Sequence, residues 1–168
     1  MITNRRSGGQ IALLLLSILG IGVAVYLTAV HYENVPLVCS TSGFIDCARV
    51  LSSSYSVVPG TAIPITIPGL FWCAVGAALA LAGWRSGWQR RPLLLAEFAW
   101  TALGMLTVFY LLYVEIVQLH TICAWCTVLH AIILVMFLMT IWQLQTPELE
   151  EEPEGTEEEQ PTANAVHD

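Results

Sequence analysis

Four long apolar stretches divide the chain, and short polar segments separate them. The stretches cover residues 11–30, 67–84, 93–114 and 122–142. A helix needs about 20 mostly apolar residues to cross the hydrocarbon core of a membrane, and in lipid the backbone has to satisfy its own hydrogen bonds. The pattern therefore predicts an all-α fold, an integral membrane four-helix bundle with a long loop between helices 1 and 2.

The composition supports this prediction and shows where the charge lies. Hydrophobic residues make up 56% of the 168 residues and charged residues 11%, whereas soluble domains contain about 25% charged residues. This excludes an ordinary soluble domain, a nucleic-acid-binding protein and a small secreted protein held together by disulfides. The net charge of −7 arises at one end, because residues 143–168 hold nine acidic residues and no arginine or lysine. We expect those residues to form a disordered acidic tail.

The arginines predict the orientation of the bundle in the membrane. Five of the six precede the first stretch or lie between the second and the third: Arg5, Arg6, Arg85, Arg90 and Arg91. Arg49 alone lies in the loop at 32–66. Since basic residues accumulate on the cytoplasmic side, residues 1–10, the 85–92 segment and the acidic tail are predicted to be cytoplasmic. The 32–66 loop and a short turn at 115–121 then lie on the extracytoplasmic side of the inner (plasma) membrane.

The first stretch has a second interpretation, a cleaved signal peptide. Its apolar run is longer than the roughly 7–15 residues typical of such a peptide, and no clear small-x-small cleavage site follows before Tyr32. We therefore expect a retained membrane span, with residues 11–142 forming one transmembrane domain.

Three residues in or beside the stretches are expected to have structural roles. Cys73 lies alone in the second stretch and is predicted to be a small buried residue. Glu97 and Glu115 flank the third stretch, so we expect them at the membrane interfaces rather than in chemistry.

The other four cysteines form two pairs. Cys39 and Cys47 lie in the long loop, and Cys123 and Cys126 form a Cys-Ala-Trp-Cys motif at the start of the last stretch. The orientation predicted from the arginines places both pairs on the extracytoplasmic face, where disulfides form and turn over. In C-x-x-C at a helix start the two sulfurs share one face, and the helix N-terminus stabilises the thiolate that attacks disulfides or donates electrons. Two such pairs on one face suggest dithiol redox chemistry.

Two other interpretations of the cysteines stay open. The first is a pair of structural disulfides. The second is a zinc site in which His31 or His120 joins the cysteines, although the spacing of the loop cysteines is wider than usual for zinc ligands. Either would make this a non-catalytic membrane protein, and we predict no metal.

The cysteines belong to a longer pattern. Ser53 lies six positions after Cys47, the second cysteine of the loop, and Cys123 and Cys126 open the last stretch. In this order and spacing, together with Cys39, these residues resemble the vitamin K epoxide reductase family. A four-helix disulfide-bond oxidase of bacteria would instead carry C-x-x-C in the first outer loop, so the order of the motifs disfavours it.

The resemblance implies a thiol–quinone oxidoreductase that supports disulfide bond formation, with a quinone pocket capped by the loop. In the implied scheme a reduced thioredoxin-like protein attacks a Cys39–Cys47 disulfide at Cys39. Cys47 then attacks Cys123 of an oxidised Cys123–Cys126 pair, and Cys126 passes electrons to the quinone. Ser53 is expected to form hydrogen bonds within the loop or near the cysteines.

The resemblance also implies the partners. Many bacterial members carry a fused thioredoxin-like domain, whereas the last stretch here is followed only by the acidic tail. We therefore expect a prokaryotic-type homologue whose electron donor is a separate thioredoxin-like protein. The electron acceptor is expected to be a quinone of the membrane pool: ubiquinone, menaquinone or a vitamin K-type naphthoquinone.

Two positions depart from the animal enzymes of this family. His130 stands where those enzymes have a quinone-contacting tyrosine, and Ile65 where their pocket has an asparagine, so we expect quinone reduction rather than epoxide reduction. His130 shares a helix face with Cys123 and Cys126 by its spacing. Since imidazole titrates near neutral pH, His130 is predicted either to hydrogen-bond a quinone carbonyl or to relay a proton. The alternative for His130 is a packing role. Trp125, between the two cysteines, is expected to face either lipid or quinone.

Overall fold

A computed structural model describes residues 2–33, 38–39, 43–85 and 90–145. Its helices are α1 (Ile2–Glu33), α2 (Cys47–Leu51), α3 (Thr66–Arg85), α4 (Arg90–Tyr113) and α5 (Ala124–Gln145), with a 3-10 turn at Ser54–Ser56 and a π-helical turn at Val114–Leu119. Among the described residues, four helical segments are long and apolar enough to cross a membrane: Gly8–Glu33, Thr66–Arg85, Arg91–Leu119 and Ala124–Gln145. The prediction of a four-helix membrane protein is confirmed. The predicted start of the disordered tail at residue 143 is wrong, because α5 continues through Gln145 and Gln143 is buried. The rest of the predicted tail, from position 146 onward, lies outside the described residues.

Two other predicted boundaries also differ from the structure. α1 begins at Ile2 rather than near residue 11. The turn predicted at 115–121 is wrong, because the π-helical turn continues α4 as far as Leu119. The helix ends at His120, whose φ of 53° is left-handed, as is common where a helix stops. The backbone N–H groups of His120 and Thr121 both donate to the carbonyl of Glu115, which ties that end of the helix to the chain that follows.

α1 and α3 approach each other closely because small residues line their contact. The buried residues of α3 are Cys73, Gly76, Ala80 and Gly83. A Cβ atom added at Gly76 would lie 3.2 Å from the Ser17 hydroxyl, and one added at Gly20 would lie 2.8 Å from the Cys73 sulfur. Small residues allow such close helix packing in membranes. Cys73 is 2% exposed and is buried in this contact, as predicted.

The remaining helices complete the bundle. α4 packs against α3 and α5, and α5 also packs against α1. The rings of Trp72 and Trp100 stack between α3 and α4 with centroids 6.2 Å apart, and each indole N–H donates to the backbone carbonyl of the other residue. We call the end of the bundle where α1 finishes and α5 starts the cysteine end, and the opposite end the arginine end.

Polar side chains are buried near the arginine end. The side-chain amide of Gln10 donates to Glu97 at 3.0 Å and to Gln143 at 3.1 Å. The hydroxyls of Thr101 and Thr140 are 3.0 Å apart. Glu97 is 4% exposed, so the expectation that it lies at the membrane interface is wrong. It lies inside the bundle, where the hydrogen bond from the Gln10 amide offsets part of its desolvation.

Candidate active site

The cysteine end carries a disulfide between Cys39 and Cys47, whose Cα atoms are 6.3 Å apart. Cys47 is the first residue of α2 and is 0% exposed. Asp46 precedes it and caps α2 by accepting a hydrogen bond from the backbone N–H of Arg49, as an aspartate does at many helix starts. The cap fixes where α2 begins, and so holds Cys47 at the inner surface of the loop while Cys39 is only half-buried.

The loop docks on the chain that leads into α5. The backbone N–H of Ile122 donates to the carbonyl of Phe44 at 2.8 Å, and that of Asp46 donates to the carbonyl of Ile122 at 3.1 Å. The two segments form a parallel bridge. The bridge pairs Ile45 with Ile122. Cys47 follows two residues after the first and Cys123 directly after the second, so one cysteine of each pair lies next to the docked segments.

The Cys-Ala-Trp-Cys motif opens α5, as predicted. Cys123 lies directly before the helix, where its sulfur accepts a hydrogen bond from the backbone N–H of Cys126 at 3.3 Å and its carbonyl accepts one from Thr127 at 2.9 Å. The sulfurs of Cys123 and Cys126 are thiols 2.6 Å apart. The hydrogen bond from the Cys126 thiol lowers the pKa of the Cys123 thiol below its ordinary value, although burial and the charge of Glu115 oppose it. Cys123 is therefore more acidic than an ordinary thiol, as is common for a cysteine at a helix start.

Two aromatic residues hold the beginning of the loop. The hydroxyl of Tyr26 accepts a hydrogen bond from the backbone N–H of Val38, and the indole N–H of Trp125 donates to the carbonyl of Val38 at 2.9 Å. The two rings lie 5.0 Å apart. Val38 immediately precedes Cys39, so this contact fixes the loop disulfide against α1 and α5.

A cleft lies beneath the loop, between α1, the loop and the ends of α4 and α5. It encloses about 570 Å³, its open mouth included. The residues predicted for the site that line it are Ser53, Ile65, Cys126 and His130. Its other lining residues are largely apolar, and among the four paired cysteines Cys126 alone reaches it. Trp125 does not line the cleft, so its contacts assign it to the loop rather than to a ligand there.

Two buried polar atoms in the cleft lining lack a hydrogen-bond partner. They are Nδ1 of His130, a residue 7% exposed, and Oε2 of Glu115, a residue 3% exposed. Most buried polar atoms in folded proteins have a partner. An apolar ligand that carries hydrogen-bonding oxygen atoms fits such a lining, because it fills the apolar space and offers partners to polar side chains there. A quinone has these properties.

Ser53 forms its hydrogen bonds within the loop. Its hydroxyl donates to the carbonyl of Val50 at 2.8 Å, and its own carbonyl accepts from the hydroxyl of Ser56 at 2.7 Å. These bonds shape the turn between α2 and the 3-10 turn, which forms one wall of the cleft.

The site includes one acid that the sequence analysis excluded. The carboxyl group of Glu115 contacts the Cys126 thiol and the backbone N–H of Cys123. The expectation that Glu115 lies at a membrane interface, away from the chemistry, is therefore wrong about where the residue lies. A signal was present in the sequence, because an ionisable residue at the end of an apolar span is a functional candidate by default. The partner of Glu115 could not be named, since its contacts depend on the π-helical turn and on the left-handed His120.

The histidines considered as zinc ligands lie apart from each other. His31 lines the cleft, whereas His120 is exposed at the end of the π-helical turn. Within the part of the chain that the structure describes, no three His, Cys, Asp or Glu side chains are grouped as metal ligands.

Comparison with known proteins identifies the chain by family. A family model described as the vitamin K epoxide reductase family matches residues 11–141. The match includes both cysteine pairs, the loop and nearly all of the four spans. No curated protein matches the chain.

Proposed function

Because the chain belongs to the vitamin K epoxide reductase family, we propose that this membrane oxidoreductase oxidises a thioredoxin-like protein and reduces a quinone, and so supports disulfide bond formation. The observation that carries the proposal is the order of the sulfurs. The loop pair docks on the start of α5, and Cys126 of the second pair lines an apolar cleft. Electrons that enter at the loop therefore have a short path to that cleft.

Electrons enter at Cys39. A reduced, separate thioredoxin-like protein attacks this sulfur of the loop disulfide, and the Cys47 thiolate leaves. Exposure supports this order, because Cys39 is half-buried and Cys47 is fully buried. A partner protein reaches the more accessible sulfur first, and thiol–disulfide exchange requires such access.

The second exchange joins the two pairs. Cys47 attacks Cys123 of the oxidised Cys123–Cys126 pair, and Cys126 is released as a thiolate that takes up a proton. The second cysteine of the partner closes the partner's own disulfide and frees Cys39. Cys39 then displaces Cys123 from Cys47, so the loop disulfide re-forms and the second pair is left as the Cys123–Cys126 dithiol. The parallel bridge between Ile45 and Ile122 supports the exchange between the pairs. Cys47 and Cys123 follow within two residues of it on the two docked segments, and both are fully buried.

The last step takes place at the cleft. A bound quinone accepts two electrons and two protons, and Cys126 is the cysteine placed to supply the electrons as the Cys123–Cys126 disulfide re-forms. His130 lies one helical turn beyond Cys126 and is proposed to hydrogen-bond a quinone carbonyl through its unpartnered Nδ1. Ile65 offers only an apolar side chain at the cleft wall, which suits a quinone ring better than the polar oxygen of an epoxide.

The arginines support the proposed orientation. Arg85 ends α3, and Arg90 and Arg91 begin α4, so they belong to the arginine end together with the start of α1. By the positive-inside rule that end is cytoplasmic, and the cysteine end lies on the extracytoplasmic side of the inner membrane.

The function is tested with purified full-length protein in lipid nanodiscs. Reduced thioredoxin is the electron donor, and ubiquinone-1 or menadione is the acceptor. We expect one quinol for each thioredoxin disulfide formed, and the same yield from the matched control Cys73→Ala. Absence of quinol with both acceptors, while the Cys39–Cys47 bridge stays intact, would instead identify structural disulfides.

The partner is identified in cells. Replacing Cys47→Ala removes the sulfur that resolves a partner bound to Cys39. We expect a mixed disulfide between Cys39 and a thioredoxin-like protein, and none in the Cys39→Ala/Cys47→Ala variant.

A further inference from the structure

Glu115 joins the reacting thiols to the cleft. It is 3% exposed and lies in the π-helical turn that ends the third span. Its carboxyl group contacts the Cys126 thiol and the backbone N–H of Cys123. Its Oε2 atom is buried without a hydrogen-bond partner, and the residue lines the cleft. One side chain therefore contacts the electron donor and lines the space proposed for the acceptor.

We propose that Glu115 is a catalytic proton carrier, which takes protons from the Cys123–Cys126 dithiol and delivers them to the quinone in the cleft. The proposal rests on the proposed function and adds the route of the protons. Such a route is needed because the cleft is largely apolar, and water is scarce at that depth in a membrane.

The protons and electrons of this step balance. Closure of the Cys123–Cys126 disulfide releases two electrons and two thiol protons, and reduction of a quinone to a quinol consumes the same. The Cys126 thiol gives its proton to the carboxylate of Glu115 as the sulfur–sulfur bond forms, and the carboxyl group then donates that proton to a quinone oxygen. Glu115 is a carboxylate again and carries the proton of Cys123 in the same way.

Other titratable residues also line the cleft. His31 comes from α1, Tyr55 from the loop and His130 from α5. Glu115 differs from them in its contact with the Cys126 thiol. His130 lies beyond that thiol, where it is suited to binding the quinone. The two residues therefore predict different defects: loss of proton transfer for Glu115 and weaker quinone binding for His130.

A spectroscopic test needs no quinone. When the Cys123–Cys126 pair is oxidised chemically, Glu115 loses its thiol partner, so the infrared difference spectrum between the two redox states should contain a band of its carboxylate or carboxyl group. We expect Glu115→Gln to remove this band and Glu97→Gln, the matched control on the same helix, to keep it. A band that survives in Glu115→Gln would overturn the proposal.

The kinetic test follows a single turnover of the reduced protein with ubiquinone-1. A general acid–base catalyst contributes about 100-fold or more to a rate, so we expect Glu115→Gln to close the disulfide about 100-fold more slowly. The quinone concentration that gives the half-maximal rate should not change, and the dependence of the rate on pH should flatten. Glu97→Gln should keep the rate and the pH profile of the parent protein.

The outcomes separate the two proposals. If the parent protein forms no quinol, the proposed function fails, whatever Glu115 does. If the parent protein forms quinol and Glu115→Gln matches its rate and pH profile, the proton-carrier proposal is wrong while the function stands. Should Glu115→Gln not accumulate in the membrane, Glu115→Asp decides. It should slow disulfide closure without weakening quinone binding, and a parental rate in that variant would overturn the proposal.

Discussion

The two ends of the bundle each bury a glutamate of the third span, and their surroundings differ. Glu97 at the arginine end accepts a hydrogen bond from the side-chain amide of Gln10. Glu115 at the cysteine end contacts the Cys126 thiol. Both are almost fully buried, at 4% and 3% exposure. Burial of an acid in a membrane protein therefore does not define its role, and the chemistry of its partner does.

The space beside each glutamate also differs in volume and in lining. The gap next to Glu97 encloses about 210 Å³ and is lined by no cysteine, whereas the cleft next to Glu115 encloses about 570 Å³ and is lined by Cys126. At the arginine end a Cβ atom added to Gly83 would lie 2.8 Å from Gln10 and 3.2 Å from Glu97. The arginine end is thus packed for stability, and the cysteine end keeps room for a ligand beside its reactive group.

The largest effect is expected from removal of the thiol in the cleft. Cys126→Ser should abolish quinol formation, because a hydroxyl cannot form the Cys123–Cys126 disulfide that releases the electrons. Thermal unfolding should change little, since serine has a similar size. Quinol formation with reduced thioredoxin measures the effect, and appreciable turnover in this variant would remove Cys126 from the path.

A substitution at the other end should affect stability instead. Glu97→Leu leaves a buried N–H of Gln10 without its acceptor, which costs about 1–3 kcal/mol. We expect a lower unfolding temperature in detergent and an unchanged turnover number per folded molecule. If turnover fell while the unfolding temperature stayed the same, the assignment of the arginine end to stability and the cysteine end to chemistry would be wrong.

His130 tests how the cleft recognises its ligand. His130→Phe keeps the bulk of the ring and removes a hydrogen bond, worth about 0.5–1.5 kcal/mol. We expect the KM for quinone to rise by about two- to tenfold, with exchange at Cys39–Cys47 unchanged. Unchanged quinone kinetics between pH 5 and pH 8 would reduce His130 to a packing role.

The smallest effect is expected at the loop. Trp125→Phe keeps an aromatic ring beside Tyr26 and removes the hydrogen bond to the carbonyl of Val38. Loss of about 1 kcal/mol of loop anchoring should slow oxidation of thioredoxin by a few-fold. The KM for quinone should stay constant. A change in that KM alone would indicate that Trp125 contacts the quinone.

Much of the fold could be predicted because it depends on local sequence. Hydropathy over about 20 residues identifies a membrane span, and the i, i+3, i+7 spacing of Cys123, Cys126 and His130 predicted a shared helix face. Cys126 and His130 do line one cleft. The sequence leaves Trp125 facing either lipid or quinone, but adjacent residues such as Trp125 and Cys126 do not share a helix face. Trp125 contacts the loop instead.

The partners of the buried acids could not be predicted, because they are distant in sequence. Gln10 and Glu97 are 87 residues apart, and Gln10 and Gln143 are 133 apart. Only the packing of three helices brings them together. Glu115 reaches its thiol partner because a π-helical turn replaces the predicted loop and ends in a left-handed residue, His120, for which the sequence carries no glycine signal.

Cys126 should reduce a quinone in the cleft without help from the loop pair. The direct measurement is a single turnover of the Cys39→Ala/Cys47→Ala variant, reduced, freed of reductant and mixed with ubiquinone-1. We expect one quinol per protein molecule together with closure of the Cys123–Cys126 disulfide, and no quinol when Cys126→Ser is added. If the variant with an intact Cys123–Cys126 pair formed no quinol, or formed it equally well without Cys126, the account would be contradicted.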